Sequence, residues 1–122
     1  MASYKKGNVV LVPFPFIALG QVQQKLRPAL VISIKDIPRR HSDIILSAIT
    51  SKVKEPLFET EVLVDPREKG FPVTGLAVRS VIKLEMLMTL PEKFVIRKIG
   101  ELEPELMAKV DKALTKYLGL AR

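Results

Sequence analysis

The chain has 122 residues, 48% of them hydrophobic, with 20 Lys and Arg against 13 Asp and Glu, for a net charge of +7. That is the length of one domain able to bury a core of its own, so a single domain over residues 1–122 is expected. Cysteine is absent and His41 is the sole histidine, which excludes disulfides, thiolate metal sites and a histidine pair from one chain.

The charge is unevenly spread. Residues 1–40 hold Lys5, Lys6, Lys25, Arg27, Lys35, Arg39 and Arg40 against Asp36 alone, a net of +6, whereas 41–80 net −1 and 81–122 net +2. A local positive field of this kind attracts polyanions. No apolar run approaches the roughly 20 residues that span a bilayer, and MASYKKGN has no apolar stretch behind its lysines, unlike a secretory signal. A soluble cytoplasmic protein is the expectation.

In chain order, Val9–Val12 predicts a strand that ends or turns at Pro13-Phe14-Pro15-Phe16, because proline cannot donate to a ladder. Residues 17–28, with Gly20 and several glutamines, predict a loop long enough to be functional. Ala29–Ile34 reads as a buried strand, Lys35–Asp43 as a polar loop broken by Pro38, and Ile44–Ile49 as a strand closing on Thr50-Ser51-Lys52. Phe58–Val64 is a weaker strand, Asp65–Gly70 a charged turn and Gly75 a bend. Ala77–Leu84, Leu87–Leu90 and Phe94–Ile99 read as further short strands. From Pro104 to Leu118 the period changes: Leu106, Met107, Val110, Ala113, Leu114, Tyr117 and Leu118 recur at helical spacing, with Pro104 suited to the first turn and Gly119 to the stop. Short strands followed by one helix predict a mainly β fold with some α, a small antiparallel barrel with a helix packed on it.

Gly-rich phosphate loops and nucleophile elbows are missing. What remains is Arg27 at the entrance to one strand and Thr50-Ser51 at the exit of another. Were those strands antiparallel neighbours, both would lie at one end of the sheet. A guanidinium fork matches phosphate oxygens and stays charged, and a threonine hydroxyl can donate to them. RNA brings its own nucleophile, the 2′-OH, so an enzyme need only position the phosphate and stabilise developing charge. The same residues would equally suit a solvated loop and a turn.

The order GNVVLVPFPF, a loop, KLRPALVIS, DIILSAITSK, SVIKLEMLMTLPEKFVIRKIGEL and an amphipathic C-terminal helix resembles the MazF/PemK-like toxins of type II toxin–antitoxin systems over essentially the whole chain. The resemblance implies an SH3-like barrel with a terminal helix, a homodimer, and sequence-specific, metal- and cofactor-independent cleavage of single-stranded mRNA through a 2′,3′-cyclic phosphate. It places the active site at Arg27 and Thr50 and implies an antitoxin protein as partner. The chain departs from the family pattern at Gly7-Asn8, where Gly-Asp is common; in 20–24, which lacks the glutamate of a Gly-x-Glu; and at Met88, where arginine is frequent.

Further candidates for RNA contact are Lys25, Arg39 and Arg40 on phosphates, Ser51 in support of Thr50, and Phe14 and Phe16 as stacking surfaces. His41 could serve as an acid or base but reads more simply as a loop residue. Two other functions fit the same residues: a nucleic-acid-binding barrel without catalysis, and a toxin-like protein directed at a protein target such as a topoisomerase.

Overall fold

The computed structural model describes residues 4–18 and 21–120, with the main chain only for 14–18 and 21–24. Six strands, β1 (Asn8–Ala18), β2 (Gln21–Val31), β3 (Asp43–Thr50), β4 (Glu61–Val64), β5 (Ser80–Pro91) and β6 (Arg97–Glu101), precede one α-helix, α1 (Pro104–Tyr117). They form one antiparallel sheet in the order β4-β5-β3-β2-β1-β6, which curls into a half-barrel with α1 packed on it. The expected mainly β architecture with a C-terminal helix is what the chain adopts.

Alternation puts a core on each face of the sheet. On one face Val9, Leu30, Ile49, Val62, Val64, Ile82 and Leu84 pack with Leu106, Val110 and Ala113 of α1, the helical spacing anticipated from the sequence. The salt bridge from Lys6 to Asp111, 2.8 Å, ties the N-terminus to the helix. On the opposite face Val10, Val12, Ala29, Val31, Ile44 and Leu46 form a second cluster, covered by Val95, Tyr4 and Leu90. The turn after β4 is held by Arg67, whose guanidinium grips Asp65 at 2.7 Å; these bonds hold the Asp65 carboxyl down at about 2, so it stays ionised at any physiological pH.

Three expectations need correction. The first strand does not stop at its prolines: β1 runs through Pro13 and Pro15 and pairs with β2 from Val9↔Leu30 to Ala18↔Gln21, so the expected loop over 17–28 is largely a long hairpin. The reason lies in the edge. Leu11 turns its carbonyl toward the chain after β5, accepting from the Ile96 amide at 2.9 Å, and β6 pairs with β1 no further than Leu11. Pro13 and Pro15, in phase with Leu11, direct their missing N–H groups to an edge without a partner strand, where a proline costs nothing. Second, Ala77–Leu84 and Leu87–Leu90 are not two strands: β5 is one strand from Ser80, whose ladder to β3 jumps from Ala48↔Lys83 to Ser47↔Leu87. The Leu84–Met86 segment bulges out of the ladder to β3, while the Leu84 amide donates to the Thr60 carbonyl at 2.8 Å, one step beyond Glu61↔Lys83 in the β4–β5 register. Third, β4 is only Glu61–Val64, its lead-in bending at Phe58, whose amide donates to Glu61 Oε1 at 2.8 Å.

Candidate active site

The ladder between β2 and β3 covers only Ala29↔Ala48, Leu30↔Ser47 and Val31↔Leu46. Two residues further along the same register, Arg27 stands level with Thr50. The ladder stops where it does because of Pro28. Its neighbours in phase, Leu30 and Ile32, turn toward β3, the Ile32 amide donating to the Ile45 carbonyl at 3.0 Å. Pro28 faces β3 in the same way but has no N–H to donate. The Arg-Pro pair thus places a cation at the point where the two strands cease to be zipped together.

Register then fixes which residues share this face. One row across the sheet is Leu63, Val81, Thr50 and Val12, with Arg27 opposite Val12 and level with Thr50. The next row is Glu61, Lys83, Ala48, Ala29 and Val10. Both rows belong to the face opposite α1. The two alanines leave the middle of the second row shallow, between Arg27 and Thr50 on one side and Lys83 on the other. Diagonal neighbours of this kind lie about 7–8 Å apart at Cα, within reach of a long side chain.

Arg27 is half-buried, as is Thr50. The Thr50 Oγ1 accepts the Lys52 amide at 3.1 Å, which orients the hydroxyl and leaves its hydrogen to donate elsewhere. Ser51 follows Thr50 and is exposed; Lys25 is exposed two residues before Arg27, on the same face.

A second group next to this pair was not foreseen. Lys83 Nζ lies 3.8 Å from Glu61 Oε2 and 3.7 Å from Glu85 Oε2, while Glu85 Oε1 is enclosed and, among the described residues, has no hydrogen-bond partner. Leaving a carboxylate oxygen unpaired away from water is costly, and such groups cluster where chemistry is done. Glu85 occupies the bulge of β5, and bulges commonly re-aim a side chain beside an active site. The only trace in the sequence is the sequence Lys-Leu-Glu, in which alternation alone puts Lys83 and Glu85 on one side.

The remaining candidates do not gather here. Arg39, Arg40 and His41 lie in the β2–β3 loop, residues 32–42, at the other end of the sheet; from Thr50 back to Asp43 along β3 is about 23 Å at the usual rise per residue. Arg39 is turned into its own loop: Nε donates to the Asp43 carbonyl at 3.1 Å, and Nη1 to those of Lys35 and Ile37 at 3.2 and 3.1 Å. Phe14 and Phe16 belong to β1, and their side chains lie outside the described residues. Among the described residues no helix is long and apolar enough to cross a membrane.

Comparison with known proteins agrees with this architecture. The family model of the PemK-like, MazF-like toxin of type II toxin–antitoxin systems matches residues 5–118. The chain is 35% identical over 117 residues to the endoribonuclease EndoA of Bacillus subtilis strain 168, covering 95% of each chain. It is 28% identical over 104 residues to the probable endoribonuclease MazF of Mycolicibacterium smegmatis, covering 85% of this chain and 90% of that one. In three dimensions it superposes on a mycobacterial endoribonuclease in complex with its cognate antitoxin with a TM-score of 0.73 at 22% identity, covering 98% and 99% of the two chains.

Proposed function

The chain belongs to the PemK-like, MazF-like toxin family of type II toxin–antitoxin systems, and from that premise we propose that it is a toxin endoribonuclease, cleaving single-stranded RNA in the cytoplasm as one domain and as a homodimer, and held in check by a cognate antitoxin. The observation that carries the assignment of its site is the β2–β3 register, which brings Arg27 level with Thr50 at the end of a ladder that Pro28 leaves open.

The reaction is an in-line attack of the ribose 2′-oxygen on the adjacent phosphorus. The O2′–P bond forms, the P–O5′ bond breaks, a 2′,3′-cyclic phosphate remains, and the proton lost from the 2′-OH must be replaced on the departing 5′-oxygen. The Arg27 guanidinium holds the non-bridging oxygens and stabilises the charge that builds on them. The Thr50 hydroxyl, its oxygen already accepting the Lys52 amide, donates to one of the same oxygens. A base is still required, and the loop acid frequent in the family is absent. Glu85 supplies it: its Oε1 is enclosed, so Oε2, the oxygen beside Lys83, accepts the 2′-OH proton. Lys83, between two carboxylates, offers a proton to the departing oxygen.

The test is digestion of a long mixed-sequence RNA by purified protein in EDTA, with the ends mapped. Discrete cuts with 2′,3′-cyclic phosphate ends are expected; RNA that binds and stays whole would mean a binding barrel without catalysis. Replacing the carboxylate by its isostere isolates the base. Glu85→Gln is expected to lower the cleavage rate about 10²- to 10⁴-fold, the usual worth of a general base, with RNA affinity within about twofold of the parent. A variant cutting at the parental rate would remove Glu85 from the mechanism.

A further inference from the structure

The β2–β3 loop forms a wall of a cavity of about 630 Å³, bounded on the other side by the N-terminal segment and the turn after β5. Its lining includes Tyr4, Pro38 and Val95 together with Lys35, His41 and Lys93. Arg39 forms part of the wall; its guanidinium donates to main-chain carbonyls, and among the described residues it enters no ion pair. Glu92 spends Oε1 on the Tyr4 amide at 2.6 Å. With Arg40 beside Arg39, four permanent cations stand against the two carboxylates Asp36 and Glu92. Neither Lys35 nor Lys93 enters an ion pair among the described residues. The loop is set in advance: Arg39 staples it to itself, the Ile45 amide donates to Ser33 Oγ at 3.0 Å, and the Glu92 amide to the Ser42 carbonyl at 2.8 Å. A binding wall that needs no ordering keeps more of its contact energy as affinity.

The cavity lies on the same side of the sheet as Arg27 and Thr50. Tyr4 and Val95 pack on the cluster of Val10, Val12, Ala29, Val31, Ile44 and Leu46, and these residues share the alternation phase of Arg27, Ala48 and Thr50. A strand of RNA linking the two would pass over the residues that cover this cluster, because Ala29, Val31, Ile44 and Leu46 beneath them are buried.

We propose that this cavity is a second RNA subsite, which holds one nucleotide of the substrate strand roughly 20 Å from the scissile phosphate, its base against Tyr4, Pro38 and Val95 and its phosphate on Lys35 and Lys93. The volume falls within the range of small-ligand pockets, and an aromatic ring beside cations is how single strands are held without a fixed sequence. The proposal rests on the endoribonuclease reading for its ligand, and it adds a length requirement that the Arg27/Thr50 pair alone does not impose.

Binding of uncleavable 2′-O-methyl RNA tests it apart from catalysis. Fluorescence anisotropy would compare a labelled mixed-sequence 12-mer and a 4-mer on wild type and on Lys35→Ala/Lys93→Ala; both lysines are exposed, so the fold is not at stake. The 12-mer is expected to bind the double variant about tenfold more weakly, with a log–log salt slope shallower by about 0.7 for one lost phosphate contact on a single strand. The 4-mer is expected to bind both proteins alike. Unchanged 12-mer affinity and slope would overturn the proposal. So would a glutamate 12-mer that binds wild type more tightly than the RNA and loses its affinity in the variant, because the cavity would then be a seat for an acidic peptide. Cleavage with unchanged 12-mer binding defeats the subsite alone; lysine-dependent binding without cleavage defeats the nuclease reading alone.

Discussion

Replacing Arg27 by alanine is expected to lower single-turnover cleavage of RNA about 10²- to 10³-fold, with thermal stability little changed. The magnitude is that of removing one preorganised donor from a developing oxyanion. The fork geometry matters as well as the charge. Arg27→Lys keeps a cation at the open end of the β2–β3 ladder but offers a point donor in place of two parallel N–H bonds, and an intermediate rate is expected. Thr50→Val, which preserves shape and removes the hydroxyl, should cost less, about tenfold, because one neutral donor is lost. Most of the loss should fall on kcat, since the interaction strengthens as charge builds on the phosphate. An Arg27→Ala protein cutting within about threefold of the parent would remove Arg27 from the site.

The second large effect concerns the fold. Gly75 and Gly100 mark where the short 3₁₀ turn Pro72–Thr74 lies directly against β6. A β-carbon on Gly100 would run into the main chain of Val73 and Thr74, and one on Gly75 into the carbonyl of Ile99. Gly75 also has φ +74°, a left-handed conformation that a side chain makes costly. Because main chain meets main chain, neither partner can swing away as a side chain could. Gly100→Ala is expected to lose at least about 3 kcal/mol, moving the thermal midpoint down by more than about 10 °C for a domain of this size. Lys98→Ala on the same strand, at an exposed position, should shift it by no more than a degree or two. Melting of the three proteins followed by circular dichroism would decide, and a Gly100→Ala protein as stable as Lys98→Ala would contradict the packing described.

The elements that could be read from the sequence were those whose pattern is local. The helix expected over Pro104–Leu118 is found at Pro104–Tyr117, because one apolar stripe faces one core and its start and stop residues are adjacent to it. The strand expected over Ile44–Ile49 occupies Asp43–Thr50 for a similar reason. The hairpin through residues 17–28 was not legible: proline is unfavourable in a strand unless it lies on an edge, and which edge is open depends on how far β6 extends. Arg27 and Thr50 could be put side by side from the sequence by supposing that their strands are neighbours. Lys83 and Glu85 could not be added, because the bulge that sets Glu85 apart lies in the register of β5 against β3, a pairing of distant segments.

A core on each face of the sheet has a consequence for control. The α1 side and the reacting side are separated by a wall of main chain whose apolar residues Val9, Leu30 and Ile82 are fully buried. A protein that gripped only the outer surface of the helix would leave the route to the phosphate site unobstructed. An inhibitor anchored on α1 therefore silences this enzyme by blockade only if it is long enough to pass round a sheet edge, at β4 or at β6, so its reach matters as much as its affinity.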